Sequence, residues 1–322
     1  MTTDTTASPI AATGNASGAG SSASITTSRT GAAGHLSAIF TIAVWGTTFI
    51  STKVLLDAFS PIEILFIRFV IGYLALWCVC PRILHVKNRR QDWCFAAAGL
   101  CGVTLYYLFE NIALTYTLTS HVSVMVSMAP FFTSILCCLI LREGHPGARF
   151  YLGFLVAMCG ICLISFQGSS DLKLSLTGDL LAMAAAGLWA LYSILTKMIG
   201  NFGYSVIQST RRTFFFGILF MLPVISVMGF SVQPSDLFET THLLNLIFLG
   251  FGASALCFVT WNYAVRRLGS VKTSVYIYAV PVITTVTSGL ILKESVTPAA
   301  ACGIALTLAG LLLSQKEKVK KS

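Results

Sequence analysis

Four ionisable residues lie inside otherwise apolar stretches: Arg68, Glu110, Arg211 and Arg212. A charge in hydrocarbon costs a few kcal/mol, so each marks function or an internal ion pair. Arg68 could hold a substrate carboxylate, and Glu110 could take and release a proton. The two are expected to face one cavity and to pair. The plain alternative is a structural ion pair, or an arginine snorkelling to the headgroups. Helical neighbours point about 100° apart, so only one of Arg211 and Arg212 can face a cavity; the repeat described below favours Arg212. Asn111 and Asn262 are intramembrane amides, which bond across helices or touch substrate. Trp45, Tyr107, Trp189, Tyr192 and Trp261 could stack on a ring or cover a methylene chain. Trp45 and Trp189 lie too deep in their stretches for an interfacial belt. Tyr276 and Tyr278 are candidates of the same kind, but two apart they cannot share a face. Pro130 and Pro281 sit mid-stretch, where each removes a backbone donor and kinks its helix; paired kinks could serve gating.

Other chemistry finds no support. The five histidines are scattered, and there is no Asp-Asp pair and no His-Glu-x-x-His. Cys159-x-x-Cys162 lies in an apolar run with no second such pair, and all ten cysteines sit in or beside apolar runs. No metal or other cofactor is expected, and no disulfide framework. The chain lacks GxxxxGK[ST], so a P-loop cannot drive it.

The elements that must position these residues follow from composition. Of 322 residues, 55% are hydrophobic and 10% charged, against about 25% charged in a soluble domain. Such a chain is neither a soluble enzyme nor disordered, and a bilayer is its expected partner. About 20 apolar residues span the hydrocarbon, and apolar runs fall at 36–57, 61–81, 93–115, 119–141, 148–166, 177–198, 204–229, 243–264, 270–292 and 297–315. Alternating ten-residue patterns are absent, so the expectation is an all-α membrane protein of ten transmembrane helices. Residues 1–34 contain 27 Ser, Thr, Ala or Gly and read as a disordered tail; residues 316–322 form a basic tail. With the N-terminus inside, fifteen of the 21 Lys and Arg fall in inward regions, three in outward regions and three within spans. That bias predicts two cytoplasmic termini. It also explains the net charge of +9 without a nucleic-acid partner.

The halves repeat. Trp45 and Lys53 match Trp189 and Lys197, and the same shift of 144 brings Arg68 onto Arg212. A shift of 151 brings Asn111 onto Asn262, Ala113 onto Ala264, Ser123 onto Ser274, Pro130 onto Pro281 and Arg142-Glu143 onto Lys293-Glu294. A longer loop near 230–242 accounts for the difference. Residues 35–166 are thus one five-helix unit and 177–315 a second. Five is odd, so the second copy lies inverted, an arrangement of many secondary transporters. Small-xxx-small pairs (Ala98/Gly102, Gly153/Ala157, Ala182/Ala186/Ala190, Ala305/Ala309) supply close helix contacts or a homodimer face.

The ordered set Trp45-Gly46-x-x-Phe49, Pro61, Arg68-Phe69, Asn111-x-Ala113-Leu114-x-Tyr116, Pro130, Arg142-Glu143, Gly178-Asp179, Trp189-Ala190-x-Tyr192, Trp261-Asn262-Tyr263-Ala264, Pro281 and Glu294 resembles the drug/metabolite transporter superfamily, in particular its EamA-type ten-helix exporters. The resemblance covers nearly everything after residue 35. It implies two inverted repeats around a central cavity and export of amino acids or other small metabolites across a plasma membrane, in a bacterium. The family often ends helices 4 and 9 with Glu-Arg; here the base precedes the acid. An intramembrane lipid-linked transferase and a passive channel or facilitator are the other classes considered. The first would need clustered acids or a His-acid pair, the second a charged ring or carbonyl filter.

Overall fold

A computed structural model describes residues 19–116, 119–142, 144, 146–165, 175–292 and 298–315. Glu143, Lys293, Glu294 and residues 316–322 fall outside them. The helices are α1 (Ala19–Leu55), α2 (Pro61–Val79), α3 (Arg89–Tyr116), α4 (Thr119–Val126 and Ala129–Leu141), α5 (Ala148–Ser165), α6 (Leu176–Gly200), α7 (Val206–Met228), α8 (Thr240–Leu268), α9 (Ser270–Ser274, Val275–Tyr278 and Ala279–Leu292) and α10 (Pro298–Gln315). A short helix, Pro234–Phe238, occupies the long α7–α8 connection. Among the described residues seven helices are long and apolar enough to cross a membrane, and Ala148–Ile164 and Ala301–Gln315 are shorter apolar helices. The chain is therefore a multi-pass membrane protein.

Local chemistry sets the ends. Pro61 opens α2, and Glu63 Oε2 accepts from Ser60 N at 2.8 Å, the acid half of a capping box. Asn88 caps α3 and Ser175 caps α6. Gly229 and Gly269 stop α7 and α8 at φ of 87° and 85°, a region that only glycine enters without strain. α1 starts at Ala19, upstream of the run at 36 and inside the stretch read as a tail. Once Gly31–Leu55 is helical, each added residue gains a hydrogen bond without a new nucleus.

The packing has an internal two-fold. Exchanging each helix of the first half for its counterpart turns α1·α8 into α6·α3, α2·α8 into α7·α3 and α4·α6 into α9·α1, and all six pairs pack together. The pairs α2·α7 and α5·α10 map onto themselves, and both are antiparallel. Phe66 meets Phe230 while Trp77 lies under Arg211. Gly153 faces Gly310 and Ser314 while Gly160 faces Gly303 and Thr307. Counterpart helices thus run in opposite directions, as an inverted repeat requires.

Small residues make these approaches possible. A Cβ on Gly310 would sit 2.4 Å from Ala157 N and 2.6 Å from Gly153 O. A Cβ on Gly99 would sit 2.7 Å from Gly217 N. Without water to expel between helices, such contacts supply the association that burial supplies in a soluble protein. The small-residue pairs of α3, α5 and α6 are spent on internal packing: Ala98, Gly102, Gly153, Ala157, Ala182, Ala186 and Ala190 are buried. In α10 the contact falls to Gly303, Thr307 and Gly310, and Ala305 and Ala309 face outward.

Four irregularities break the rods. α4 turns at Ser127–Met128 just before Pro130, and α9 passes through a 3₁₀ stretch, Val275–Tyr278, just before Pro281. Each proline leaves the carbonyl four residues earlier without its helical donor. π-helical turns, which ridge-to-groove packing does not predict, span Leu100–Leu105 in α3 and Phe248–Leu256 in α8. They occupy the same register of the repeat, beside the crossings at Gly99/Gly217 and Gly72/Gly250.

Candidate functional site

The two halves meet in a buried aromatic cluster. Trp45 of α1, Trp189 of α6 and Trp261 of α8 form a triangle with ring centroids 5.1, 5.2 and 5.8 Å apart. Tyr106 lies 4.8 Å from Trp189 and 4.7 Å from Tyr107, and Tyr192 lies 5.0 Å from Trp189. Phe258 joins the set at 5.8 Å from Trp45 and 5.0 Å from Phe214. Most of these pairs are tilted or edge-on, the arrangement the ring quadrupole favours, worth about 0.5–1.5 kcal/mol per pair. Trp45 Nε1 donates to Ala253 O at 3.0 Å, within the π-helical turn of α8.

Arg68 sits at the edge of this cluster, 1% exposed. Its Nε donates to Ser254 Oγ at 3.0 Å, and its guanidinium lies 4.5 Å from the Tyr107 ring centroid and 5.5 Å from that of Phe69. Desolvated contacts of this kind are worth about 2 kcal/mol. The expected ion pair with Glu110 does not form. Glu110 accepts instead from Tyr106 OH at 3.0 Å, one turn away on the same helix face. Tyr107 and Tyr106 connect the two groups by contact. Asn262 receives Tyr192 OH at 2.7 Å and donates to Thr210 Oγ1 at 2.9 Å. It also lines a small cleft with Thr196, Ser209, Thr213 and Arg266, so it stands between the cluster and the basic end of the molecule.

Of the residues singled out from sequence, the structure gathers Trp45, Arg68, Tyr107, Glu110, Trp189, Tyr192, Trp261 and Asn262. Asn111 and Arg212 lie apart. Asn111 Nδ2 donates to Pro61 O at 3.2 Å, tying α3 to the start of α2. Arg212 pairs with Asp92 through Nε at 2.7 Å and Nη2 at 2.6 Å, with about a third of each side chain exposed. The repeat register had matched Arg212 to Arg68. The helix crossings set a shift of 145 instead: Gly72 matches Gly217, and Arg68 O and Thr213 O occupy equivalent places beside Gly250 and Gly99. Thr213, not Arg212, is the counterpart of Arg68. Arg211 bonds the carbonyls of Cys80 and Arg82 and stacks on Trp77 at 4.0 Å. Tyr276 and Tyr278 diverge as their spacing requires: Tyr276 bonds His35, and Tyr278 packs beside Phe154. Tyr106, Phe258 and Ser254 were not anticipated. Phe258 was within reach, since a shift of 151 carries Tyr107 onto it.

Both ends are tied by residues of α2 and α7, and of the segments flanking them, to each other and to α3 or α8. At the basic end, Gln208 donates to Arg82 O, Tyr204 OH donates to Gln91 Oε1 and Arg212 holds Asp92. At the opposite end, Glu63 Oε1 accepts from Ser231 N at 2.7 Å, Phe66 meets Phe230 and Phe59 meets His242. Glu63 and Gln208 are related by the same shift of 145, so the two ties are one device used twice.

Comparison with known proteins fits this architecture. The family profile described as the EamA-like transporter family matches residues 32–166 and 176–315. An uncharacterized transporter of Archaeoglobus fulgidus is 29% identical over 286 residues, covering 87% of this chain and 96% of its own length. A Streptantibioticus cattleyicolor protein named "Probable terminal-alkyne amino-acid exporter" is 26% identical over 85% of this chain and 91% of its own. A solved crystal structure superposes with a TM-score of 0.71 at 18% identity, over 88% of this chain and 96% of that one; at that identity it speaks for the fold alone.

Proposed function

The chain belongs to the EamA-like transporter family, a membrane transporter of the drug/metabolite type, and on that premise we propose that it exports amino acids or similar small metabolites across a plasma membrane by alternating access. The observation that carries the reading is the buried cluster itself. It is assembled from both repeats, holds the ionisable side chains of Arg68 and Glu110, and is bounded at each end by an equivalent tie. A solute held there would be released to whichever side has its tie undone. The helix breaks before Pro130 and Pro281 sit at matching points of α4 and α9, where part of each helix can tilt without breaking further backbone bonds. The basic end faces the cytoplasm in this reading, in keeping with the distribution of Lys and Arg. Amino-acid export draws on the named relative, and the gradient that drives it would be chemical or protonic, with Glu110 as the carrier of any proton.

The test is reconstitution of the full chain in proteoliposomes loaded with labelled amino acids. Export faster than from empty-protein liposomes, and faster still with an imposed proton gradient, is the expected result. Retention of every labelled solute, with conversion of a lipid instead, would overturn the reading. A reporter fused to the C-terminus checks orientation; activity only outside the cell would invert it.

A further inference from the structure

The connection between α2 and α3, residues 80–88, has two faces. Its inward groups are all engaged with the protein. Leu84 is buried and Val86 packs against the core. Arg82 O accepts from Gln208 Nε2 at 3.2 Å, Arg211 bonds the carbonyls of Cys80 and Arg82, and Lys87 N donates to Tyr204 OH at 3.0 Å. The outward side chains are a different set. Arg82 and Lys87, with Arg89 and Arg90 at the start of α3, are exposed. Asp92 is the single acid between Cys80 and Trp93, and Arg212 holds it at 2.6 Å. Among the described residues no carboxylate is paired with any of those four cations.

Other arginines of the same end do find protein partners. Arg211 and Arg212 are bonded as described, Arg266 donates to Tyr204 O at 2.9 Å, and Arg267 lies over the Tyr263 ring at 5.2 Å. Membrane orientation accounts for bases at this end, but not for four left unpaired on one outward strip. Nor does the tie need them. The equivalent connection at the opposite end, residues 229–239, makes its tie through Ser231 N and Glu63 with no Lys or Arg and with two acids, Asp236 and Glu239. Two large apolar side chains lie with the cations: Ile83 is 64% exposed and Trp93 76%. Trp93 follows Arg89 by four residues and Arg90 by three, so the three share a side of α3. A tryptophan where a polar turn gives way to an apolar run is a usual neighbour of lipid headgroups.

We propose that Arg82, Lys87, Arg89 and Arg90, with Ile83 and Trp93, form a docking surface for the anionic phospholipid headgroups of the adjoining leaflet. The segment joins two membrane-crossing helices, so it lies at the headgroup level. Its four cations are spread along nine residues, which matches a layer of headgroups rather than one chelated ion. Ile83 and Trp93 supply the apolar contact that a soluble anion would not use. A base held beside an anionic membrane surface gains about fivefold in affinity. The inference takes from the transport reading only the side of the membrane, the cytoplasmic leaflet.

The experiment places the full chain in nanodiscs of mixed phosphatidylcholine and phosphatidylglycerol, with brominated acyl chains on one lipid or the other. Quenching of Trp93 is read as the difference between the chain and Trp93→Phe, a change at an exposed position. At low salt, phosphatidylglycerol should be enriched about fivefold over phosphatidylcholine beside Trp93, and high salt should bring the enrichment close to one. Arg89→Gln together with Arg90→Gln should do the same, while Arg89→Lys together with Arg90→Lys should keep it. Should the glutamine pair fail to fold, the unmodified chain decides alone: equal quenching by the two lipids, or an enrichment that ignores salt, overturns the surface. Enrichment unmoved in a folded glutamine pair also overturns it. Loss of enrichment on adding inorganic phosphate at constant ionic strength would give the strip to a soluble anion instead. Nanodiscs present both leaflets and require no transport. Enrichment with no solute moved in proteoliposomes therefore defeats the transport reading and spares this surface, and movement of solute without enrichment does the reverse.

Discussion

Glu63→Gln isolates the tie at the end opposite the basic loops. Glu63 is 5% exposed and accepts two backbone N–H bonds, from Ser60 at 2.8 Å and from Ser231 at 2.7 Å. A glutamine has one carbonyl oxygen where glutamate has two, so one bond must go and the other loses its charge. Hydrogen bonds to a charged group are worth about 1.5–3 kcal/mol. Ser231 is exposed, and water can replace its partner, which places the expected loss near the lower figure. At about 1.4 kcal/mol per tenfold, the segment 229–239 should open about ten times more often. Amide hydrogen exchange in nanodiscs reads this directly, because the Ser231 amide is itself the donor. Peptides covering 226–240 should exchange about tenfold faster. If opening of the two ends is mutually exclusive, peptides covering 80–91 should exchange no faster than in the unmodified chain. A change under twofold at 226–240 would mean that the carboxylate does not hold this end. Equal acceleration at both ends would mean general loosening rather than a gate.

Further substitutions test the packing and the opposite tie. Gly310→Ala should lower thermal stability by about 1–3 kcal/mol in a melting assay, since its Cβ would meet only backbone of α5. Gly187→Ala, with nothing within 4 Å of its Cβ, should instead raise it by about 0.5–1 kcal/mol; a drop would mean this face of α6 packs against something the chain alone does not supply. A double-mutant cycle of Asp92→Asn and Arg212→Gln should give a coupling of about 0.2–1 kcal/mol, the range for partly exposed pairs. A coupling well above that range would give the pair a larger part in closing the basic end. Trp45→Phe keeps the ring and loses the bond to Ala253 O, so it should cost about 1 kcal/mol in stability; an unchanged melting temperature would show that Ala253 O finds another donor.

The sequence carried the rods well and their breaks partly. Apolar length placed α2 and α6 within about two residues at each end, and the structure shows local reasons for both starts, Pro61 at the head of α2 and the Ser175 cap of α6. The prolines announced the interruptions of α4 and α9. The π-helical turns were not legible: Leu100–Leu105 and Phe248–Leu256 have ordinary helical sequences, and their geometry comes with a neighbouring helix. The same limit governs the site. Depth in the membrane drew attention to Trp45, Trp189 and Arg68, and all three converge. Depth also drew attention to Arg212, whose acid, Asp92, lies 120 residues away in the polar first turn of α3, ahead of the apolar run at 93–115. Matching by residue type then misled by one position, since two arginines aligned more readily than an arginine with Thr213. Only the glycine crossings reveal the true register.

The paired π-helical turns also say something about history. A π turn holds one residue more than the α turn it replaces, so each is the trace of a residue inserted into a regular helix. Two independent insertions at one register of two helices that now run in opposite directions would be a coincidence. A single insertion before the gene doubled requires none. The irregularity is then older than the doubled chain and was already present when two separate copies, facing opposite ways, had to assemble around it. A present-day relative made of one such unit should carry the turn between the residues equivalent to Leu100 and Leu105, and a straight α-helix there would refute the descent.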